Sequence, residues 1–288
     1  MSRSTIKEQI LEIESAACEY PEYSDVLDLQ KGILEILIPV SDSPTKGARA
    51  VLSDEALENL MEKAKSSKKS LSTFLHASFF HEETISNLAG GIAERLAPRH
   101  PKGNVLEGLL KALELGDVDA QEAIKAILEE DSAWFQHLSS IFDIKASLLL
   151  FIFDTPLRPF FEELARRVEK EFIETWWEPF CPVCGRLPVV ARVRKGKRYM
   201  TCTYCGAEYL VDQFLCTNCR NNDPYTLGFI ALEDHPEYEL SYCEKCNHYI
   251  KVLYEERLKR VVPRGLEDLL TSELDSFAEE QDIGLVRA

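Results

Sequence analysis

Apolar residues recur at helical spacing through most of the first 180 residues of the chain. Thr5 and Glu8 have the spacing of a capping box, so a first helix should begin directly after Thr5. A second helix is predicted to start at Ser24 and to end at Pro39, because proline lacks the backbone N–H that a helix interior needs. Ser53 is a suitable cap for a third helix. The pattern therefore predicts a series of separate helices.

Helical spacing continues further along this part of the chain. Residues 71–98 predict one or two helices closed by Pro98, and Asp117 is a further helix start. The strongly apolar segment 134–153 predicts one buried helix, and residues 157–172 carry the apolar face of an amphipathic helix. No repeat of fixed period is present, so we expect an orthogonal or bundle-like helical domain rather than a solenoid.

The pattern changes at about residue 180, where Pro179 and Pro182 are expected to stop the helices. Between 181 and 260, β-branched or alternating runs are interrupted by glycine and asparagine, which predicts short antiparallel strands. The segment GLEDLLTSELDSFAEE near the end predicts one more amphipathic helix. Helices and strands are thus expected in separate parts of the chain.

Composition narrows the class of protein. The 288 residues are 45% hydrophobic, which is enough for about two domains with a core. A net charge of −16 repels nucleic acid and anionic lipid at long range. No run of 18 or more apolar residues exists, so no membrane span is expected. The N-terminal residues are charged where a signal peptide needs an apolar core, so we expect a cytoplasmic protein.

Eight of the nine cysteines form four CxxC pairs between residues 181 and 246, and the ninth, Cys18, is expected to be a small buried residue. In a reducing compartment such pairs indicate metal ligands rather than disulfides. Two residues between cysteines let one tight turn direct both sulfurs at one ion, and two such turns complete a tetrahedron. The spacing favours two sequential sites, although an interleaved pairing remains open. The predicted ligands are Cys181, Cys184, Cys202 and Cys205 for the first site, and Cys216, Cys219, Cys243 and Cys246 for the second.

The turn after each pair needs a residue that tolerates a positive φ. Gly185, Gly206 and Asn247 meet this requirement, whereas Arg220 departs from it. Four thiolates leave no open position on an ion, so the two ions, zinc or iron, are expected to be structural rather than hydrolytic. Each such centre carries a formal charge of about −2. The basic residues near the pairs are expected to offset that charge.

These observations predict an α+β fold: an all-helical N-terminal domain, two tandem rubredoxin-like or zinc-ribbon modules with four cysteines each, and a C-terminal helix. Because small β modules bury little apolar area, metal binding is expected to supply much of their folding free energy. The predicted domains are 1–179 (helical), 180–212 (first ribbon), 213–260 (second ribbon) and 261–288 (C-terminal helical tail).

The order and flanks of the four pairs resemble the FdhE family of formate dehydrogenase accessory proteins. The resemblance covers about residues 180–288 and is carried by CPVCG, RYMTCTYCGAEY, LCTNC, YCEKCNHYIKVLY and the acidic tail. It implies a cytoplasmic, non-catalytic chaperone or maturation factor that binds metal through the eight cysteines. It also implies contact with the catalytic subunit of a respiratory formate dehydrogenase before twin-arginine export.

Two other functions stay open at this point. The basic segment RVRKGKR could bind RNA with Tyr199 stacking on a base, although the acidic chain argues against nucleic acid. A thiol redox or sulfur-handling enzyme would also use CxxC pairs, but four pairs in a β-rich segment do not match the strand-to-helix setting of a thioredoxin motif. No acid–base or nucleophile constellation is present, so we expect no catalytic residue. No sequence feature indicates an oligomeric state.

Overall fold

The chain adopts the predicted α+β fold in a computed structural model that describes residues 5–43, 47, 52–100, 103–232 and 235–283, excluding the side chains of 103 and 104. The described residues form two compact units. The helical unit comprises the residues up to Ala56 together with Ser72–Glu163. The sheet unit comprises Leu57–Leu71 together with the residues from Leu164 onward. The domain boundaries predicted from the sequence stay a prediction.

Ten helices of the described residues precede the first strand. They are α1 (Ile6–Glu19), α2 (Ser24–Ser41), α3 (Asp54–Ser67), α4 (Glu82–Leu96), α5 (Gly103–Leu115), α6 (Ala120–Leu128), α7 (Ser132–Phe142), α8 (Ala146–Asp154), α9 (Arg158–Arg167) and α10 (Lys170–Glu174). Among the residues the structure describes, no helix combines the length and apolarity that crossing a membrane requires.

Two predicted helix starts are confirmed. The Thr5 hydroxyl accepts a hydrogen bond from the Glu8 backbone N–H, and the Glu8 carboxylate accepts one from the Thr5 backbone N–H at 2.7 Å. The Ser53 hydroxyl accepts a hydrogen bond from the backbone N–H of Ala56 at 3.1 Å, at the start of α3. Both caps satisfy N–H groups that have no partner within their own helix.

Two predicted helices have other boundaries in the structure. Helix α2 runs through Pro39 to Ser41, because Leu37 and Val40 are buried on either side of the proline and hold the last turn in place. The apolar segment 134–153 is two helices, α7 and α8, rather than one. Asp143 separates them in the left-handed conformation at φ 54°, a geometry that aspartate tolerates better than most residues.

Other helices differ from the sequence pattern in number. Helix α5 lies between Pro98 and Asp117, where the pattern predicts no element. Residues 71–98 contain two 3₁₀ turns ahead of α4. The apolar face of 157–172 is buried as predicted, but it belongs to two helices, α9 and α10. Periodicity identified the buried faces, and local backbone geometry decided where each helix breaks.

The helical unit has an apolar core that contains a cluster of hydrogen-bonded polar side chains. Aromatic packing brings the rings of Phe80 and Phe160 to 5.1 Å. The Arg158 guanidinium donates to the Glu162 carboxylate at 2.8 Å and to the Gln9 side-chain oxygen at 3.0 Å. The charges of this pair are thus matched by hydrogen bonds, which a buried pair requires.

The sheet unit is built on one six-stranded sheet. Its strands are β1 (Val190–Arg194), β2 (Lys197–Thr201), β3 (Glu208–Leu210), β4 (Leu227–Ala231), β5 (Tyr238–Cys243) and β6 (His248–Tyr254). The spatial order is β3-β2-β1-β6-β5-β4. All neighbours are antiparallel except β1 and β6, which pair in parallel with Val190 opposite Lys251. The expectation of only antiparallel strands is therefore wrong for this central pair.

The sheet contains the same three-stranded arrangement twice. Strands β1, β2 and β3 form one ribbon in chain order, and β4, β5 and β6 form the other. The β1–β2 hairpin turns at Lys195 and Gly196, both at positive φ, which is the requirement of a two-residue type I′ turn. The parallel pairing of β1 with β6 joins the two ribbons into one sheet.

The C-terminal segment packs on this sheet as two helices, α11 (Glu267–Leu270) and α12 (Glu273–Glu280), rather than as the single predicted helix. Buried Thr271 separates them. Lys251 of β6 is 1% exposed, and its ammonium lies 2.6 Å from Asp268 and 2.9 Å from Asp275. Arg192 of β1 donates to Glu267 at 2.8 Å. Buried ion pairs thus fix this segment to the central strands.

Candidate metal centres

The eight CxxC cysteines lie in two groups of four. Within each group the four Sγ atoms lie within 4.8 Å of one another. The first group is Cys181, Cys184, Cys202 and Cys205, and the second is Cys216, Cys219, Cys243 and Cys246. The structure therefore brings the sulfurs together sequentially along the chain and not in the interleaved arrangement.

Equivalent positions of the two ribbons supply the sulfurs. In each ribbon, one CxxC pair precedes the first strand and another follows the second strand. The two CxxC turns of each ribbon therefore lie at the open end of the same hairpin, where they face each other. Cys184 and Cys219 occupy the same position in their ribbons, and their closest sulfur neighbours, Cys202 and Cys243, are equivalent as well.

Each turn places backbone N–H groups near its cysteines. The residue after each pair donates its N–H to the carbonyl of the first cysteine, for example Gly185 to Cys181 at 3.0 Å and Asn247 to Cys243 at 2.8 Å. All four of these residues have positive φ, including Arg220 at 60°. The CTNC turn thus has the geometry of the other three, although arginine incurs a small steric penalty in it.

A carboxylate stabilises the arginine in this unusual conformation. The Arg220 guanidinium donates to the Glu178 carboxylate at 2.6 Å, and Lys68 lies 3.5 Å from the same carboxylate. Glu178 is buried and stands three residues before Cys181. The sequence pattern did not identify Glu178, and no local signal could have done so, because the pairing joins residues 42 positions apart.

The sulfur geometry and the donor chemistry fit a tetrahedral divalent ion. Metal–sulfur bonds of about 2.3 Å at tetrahedral angles require sulfurs about 3.8 Å apart. The Sγ–Sγ distances are 3.5 Å for Cys181–Cys205 and for Cys184–Cys202. In the second group they are 3.6 Å for Cys216–Cys246 and 3.7 Å for Cys219–Cys243. Four thiolates select zinc or iron over hard cations, and the donor set does not separate these two metals.

The electrostatics of the first group also favour a cation. Burial raises the pKa of the Cys181 and Cys205 thiols well above their usual value. Hydrogen bonds from Cys181 and the two other neighbouring sulfurs hold the pKa of Cys202 well below its usual value. Without a counter-charge, ionisation of Cys202 is therefore favoured over ionisation of Cys181 and Cys205. A bound dication would supply the charge that lets all four ionise.

A side-chain amide contacts the second group. Burial opposes ionisation of Cys243, but hydrogen bonds from the Asn221 amide and from backbone N–H groups lower its pKa to about 7. The Asn221 amide nitrogen lies 3.4 Å from the Cys243 sulfur, and its oxygen accepts a hydrogen bond from Lys245 at 2.8 Å. Such outer contacts orient metal ligands. The sequence pattern did not identify Asn221, whose signal was its place two residues after Cys219.

The basic residues near the cysteines have nearer partners than the sulfurs. Arg192 pairs with Glu267 and Glu255, and Arg194 pairs with Glu208. Arg186 stacks on the Tyr204 ring with its guanidinium carbon 3.4 Å from the ring centroid. Carboxylates and an aromatic ring contact these side chains, and the expected compensation of thiolate charge stays a prediction.

The ninth cysteine and the tryptophan pair lie outside both sulfur groups. Cys18 is exposed, so the prediction of a buried residue is wrong; the cysteine lies near the end of α1, away from its buried face. Trp176 is buried and donates its indole N–H to the Phe180 carbonyl at 2.8 Å. Trp177 is 61% exposed.

Comparison with known proteins gives consistent matches. The family model described as "FdhE, central domain" matches residues 180–212. An FdhE homologue of Aquifex aeolicus is 32% identical over 143 residues, which are 48% of this chain and 50% of that protein. One from Proteus mirabilis is 30% identical over 182 residues, 61% of this chain and 55% of that protein. The chain thus spans about half the length of these relatives.

A solved structure extends the match to the whole fold. The crystal structure of the FdhE protein from Pseudomonas aeruginosa superposes with a TM-score of 0.63 at 20% sequence identity. The superposition covers 100% of this chain and 95% of that one. At this identity the likeness concerns the fold, and it includes the helical part of the chain, where the sequence resemblance had been weakest.

Proposed function

We propose that the chain is a member of the FdhE family and a metal-binding accessory protein, acting as chaperone or maturation factor for a respiratory formate dehydrogenase. In this proposal it binds the catalytic subunit of that enzyme in the cytoplasm before export. Each group of four cysteines holds one ion, zinc or iron. The protein has no catalytic residue of its own.

The observation that carries the proposal is the pair of four-sulfur groups in the order typical of the family. Closed four-thiolate sites are usually structural, because no ligand position remains for a substrate. A protein that shapes a surface with two such sites suits binding of another protein better than acid–base chemistry. The equivalent positions in the two ribbons support the assignment of all eight cysteines as ligands.

The nucleic-acid alternative has less support than the basic segment suggested. The Arg192 and Arg198 side chains are buried. Arg192 donates to Glu267, and Arg198 donates to the Gln213 carbonyl at 3.1 Å. Guanidinium groups held in this way are not offered to a phosphate backbone, which is the main source of affinity for nucleic acid.

The thiol-redox alternative also lacks support in the geometry. A thioredoxin-type pair stands at the end of a strand that leads into a helix. Here each CxxC pair lies in a turn beside a hairpin, with a second pair directly facing it. Every CxxC cysteine thus lies within 4.8 Å of the sulfurs of a second pair, an arrangement suited to holding an ion.

Co-purification tests the proposed function. Tagged full-length protein from anaerobically grown cells should capture the catalytic subunit of formate dehydrogenase, and a chain with Cys181→Ser and Cys216→Ser should not. A variant with Cys18→Ser is the matched control, because that exposed cysteine belongs to neither group. Failure of the wild-type chain to capture the subunit would contradict the client assignment.

A further inference from the structure

The two sulfur groups have the same geometry but different exposure. All four cysteines of the first group are buried. In the second group Cys216 and Cys243 are buried, Cys246 is half-buried and Cys219 is exposed. Equivalent positions thus differ, since Cys184 is buried and Cys219 is not. A purely structural pair of sites does not require this difference.

Local packing explains why the first group is closed. The Pro182 carbonyl accepts a hydrogen bond from the backbone N–H of Leu71 at 2.9 Å, which places the segment after α3 against the CPVC turn. Arg186 stacks on Tyr204, inside the CTYC turn. Tyr209 is fully buried, and its hydroxyl donates to the Pro179 carbonyl. Protein atoms therefore cover the first group on several sides.

Among the residues that the structure describes, none covers the CTNC and CEKC turns of the second group to the same extent. Arg220, Glu244, Lys245 and Asn247 are all exposed, as is Cys219 itself. The side chain of Asn247 donates to the Asp282 carbonyl at 3.1 Å, and the backbone N–H of Glu244 donates to the Thr226 carbonyl at 3.0 Å, so these contacts hold the CEKC turn without burying Cys219. Solvent and solutes can therefore reach the Cys219 sulfur.

The surroundings of Cys219 offer contacts to a partner peptide. The cationic side chains next to Cys219 and Cys246 are themselves held in ion pairs, Arg220 with Glu178 and Lys245 with Asp223. An apolar margin lies nearby in the chain: Tyr225 is 91% exposed, and the exposed rings of Phe214 and Phe229 lie 6.5 Å apart. Exposed aromatic rings offer contacts to a peptide that carries a thiol.

We propose that the second group is a ligand-exchange site at which a cysteine thiolate of a partner protein takes the place of Cys219. This inference rests on the proposed binding of an ion by each group. One metal–sulfur bond forms to the incoming sulfur, and the bond to the Cys219 sulfur breaks. The proton released by the incoming thiol passes to the Cys219 thiolate, so charge and electron count are unchanged and no oxidant is needed. The first group keeps its four ligands.

The test uses the purified full-length chain loaded with two zinc ions, with N-acetylcysteine as the probe and N-acetylserine as its matched control. A short pulse of N-ethylmaleimide followed by peptide mass mapping reports which thiols have become free. Cys18 serves as the reference for an exposed thiol that holds no ion. The metal count is measured in the same samples.

With N-acetylcysteine, labelling of Cys219 should rise on the order of tenfold over the N-acetylserine sample, because the displaced Cys219 thiol no longer holds the ion and is open to the reagent. Cys184 should stay unlabelled and both ions should be retained. Equal labelling of Cys184 and Cys219, no response of Cys219, or a chain that holds fewer than two ions would overturn the inference.

A matched pair of variants provides a second measurement. In cobalt-loaded Cys219→Ser protein, N-acetylcysteine should restore the absorption of a four-thiolate site with one probe molecule per chain. Cys184→Ser, at the equivalent position of the first group, should not respond. The opposite pattern would overturn the inference. Neither measurement involves formate dehydrogenase, so loss of client binding and failure of ligand exchange are separately visible.

Discussion

The helical unit and the sheet unit hold their folds by different means. The helical unit buries contiguous aliphatic and aromatic side chains, such as Leu27, Leu37 and Phe153, each fully buried. The sheet unit also has an apolar interior, but several of its central contacts are charged or involve sulfur. Lys251 and Arg192 are buried within ion pairs, and seven of the eight CxxC cysteines are at least half-buried. The stability of the helical unit therefore depends mainly on apolar packing, whereas that of the sheet unit depends also on the compensation of buried charges.

Metal removal should give the largest difference between the two units. A structural zinc supplies about 10 kcal/mol or more of folding free energy. Anaerobic chelation should therefore abolish amide-exchange protection in β1 to β6, because uncompensated thiolates cannot stay buried together. Helices α2 and α4 should keep their protection. Hydrogen exchange with mass spectrometry measures both at once, and equal loss in strands and helices would erase the proposed contrast.

Lys251→Met should have the second largest effect. Removing the ammonium takes the shared partner from the Asp268 and Asp275 carboxylates, which are 32% and 19% exposed, so the loss should lie between about 0–1 kcal/mol for an exposed pair and about 3–5 kcal/mol for a fully buried one. Denaturant unfolding measures the loss. The matched control is Lys7→Met, whose exposed pair with Asp42 should contribute about 0–1 kcal/mol. Similar losses in the two variants would show that burial of the pair is irrelevant.

Leu37→Ala tests the same contrast by destabilising the helical unit instead of the sheet unit. Leu37 is fully buried in α2, and truncating a buried leucine costs about 2–5 kcal/mol. The variant should still bind two ions, because no cysteine of either group lies in the helical unit. Metal analysis together with thermal unfolding checks both expectations. A lowered ion count would mean that the sheet unit depends on the helical core.

Tyr254→Phe should have the smallest effect, and that effect should depend on pH. Burial and the hydrogen bond from the Tyr254 hydroxyl to Glu239 raise the pKa of the phenol above 10.0. A raised pKa means that the contribution of Tyr254 to stability is present below about pH 10 and is lost as the pH rises through the folded-state value. Urea unfolding at about pH 8 and about pH 11 should show a larger destabilisation of the variant relative to wild type at the lower pH. If the difference in stability between the variant and wild type were the same at both pH values, it would come from the packing of the ring alone.

The sequence predicted local features better than long-range ones. The caps at Thr5 and Ser53, the four CxxC turns and the buried face of 157–172 follow from spacings of a few residues, and each is present. The α+β class followed from the change of pattern near residue 180. These features depend on backbone hydrogen bonding and on periodicity, which a single sequence displays directly.

The features that were missed depend on distant residues. The two ribbons share one sheet because β1 pairs with β6, and this pairing is supported by Lys251 and Arg192 reaching the C-terminal helices. The continuation through Pro39 was decided by packing, because Leu37 and Val40 on either side of the proline are buried. Arg220 departs from the turn pattern, yet Glu178 holds it in place. Neither the two paired strands nor the partners in these ion pairs are adjacent in the chain.

The parallel pairing of β1 with β6 also bears on the order in which the chain can be completed during synthesis. Val190 and its partner Lys251 are separated by 60 intervening residues, so β1 leaves the ribosome well before its second neighbour exists. Until then β1 is an open edge whose backbone groups could pair with any other nascent strand. Filling the first cysteine group early would hold β1 and β2 in a hairpin during this interval, and a delayed metal supply would therefore first appear as aggregation of nascent chains.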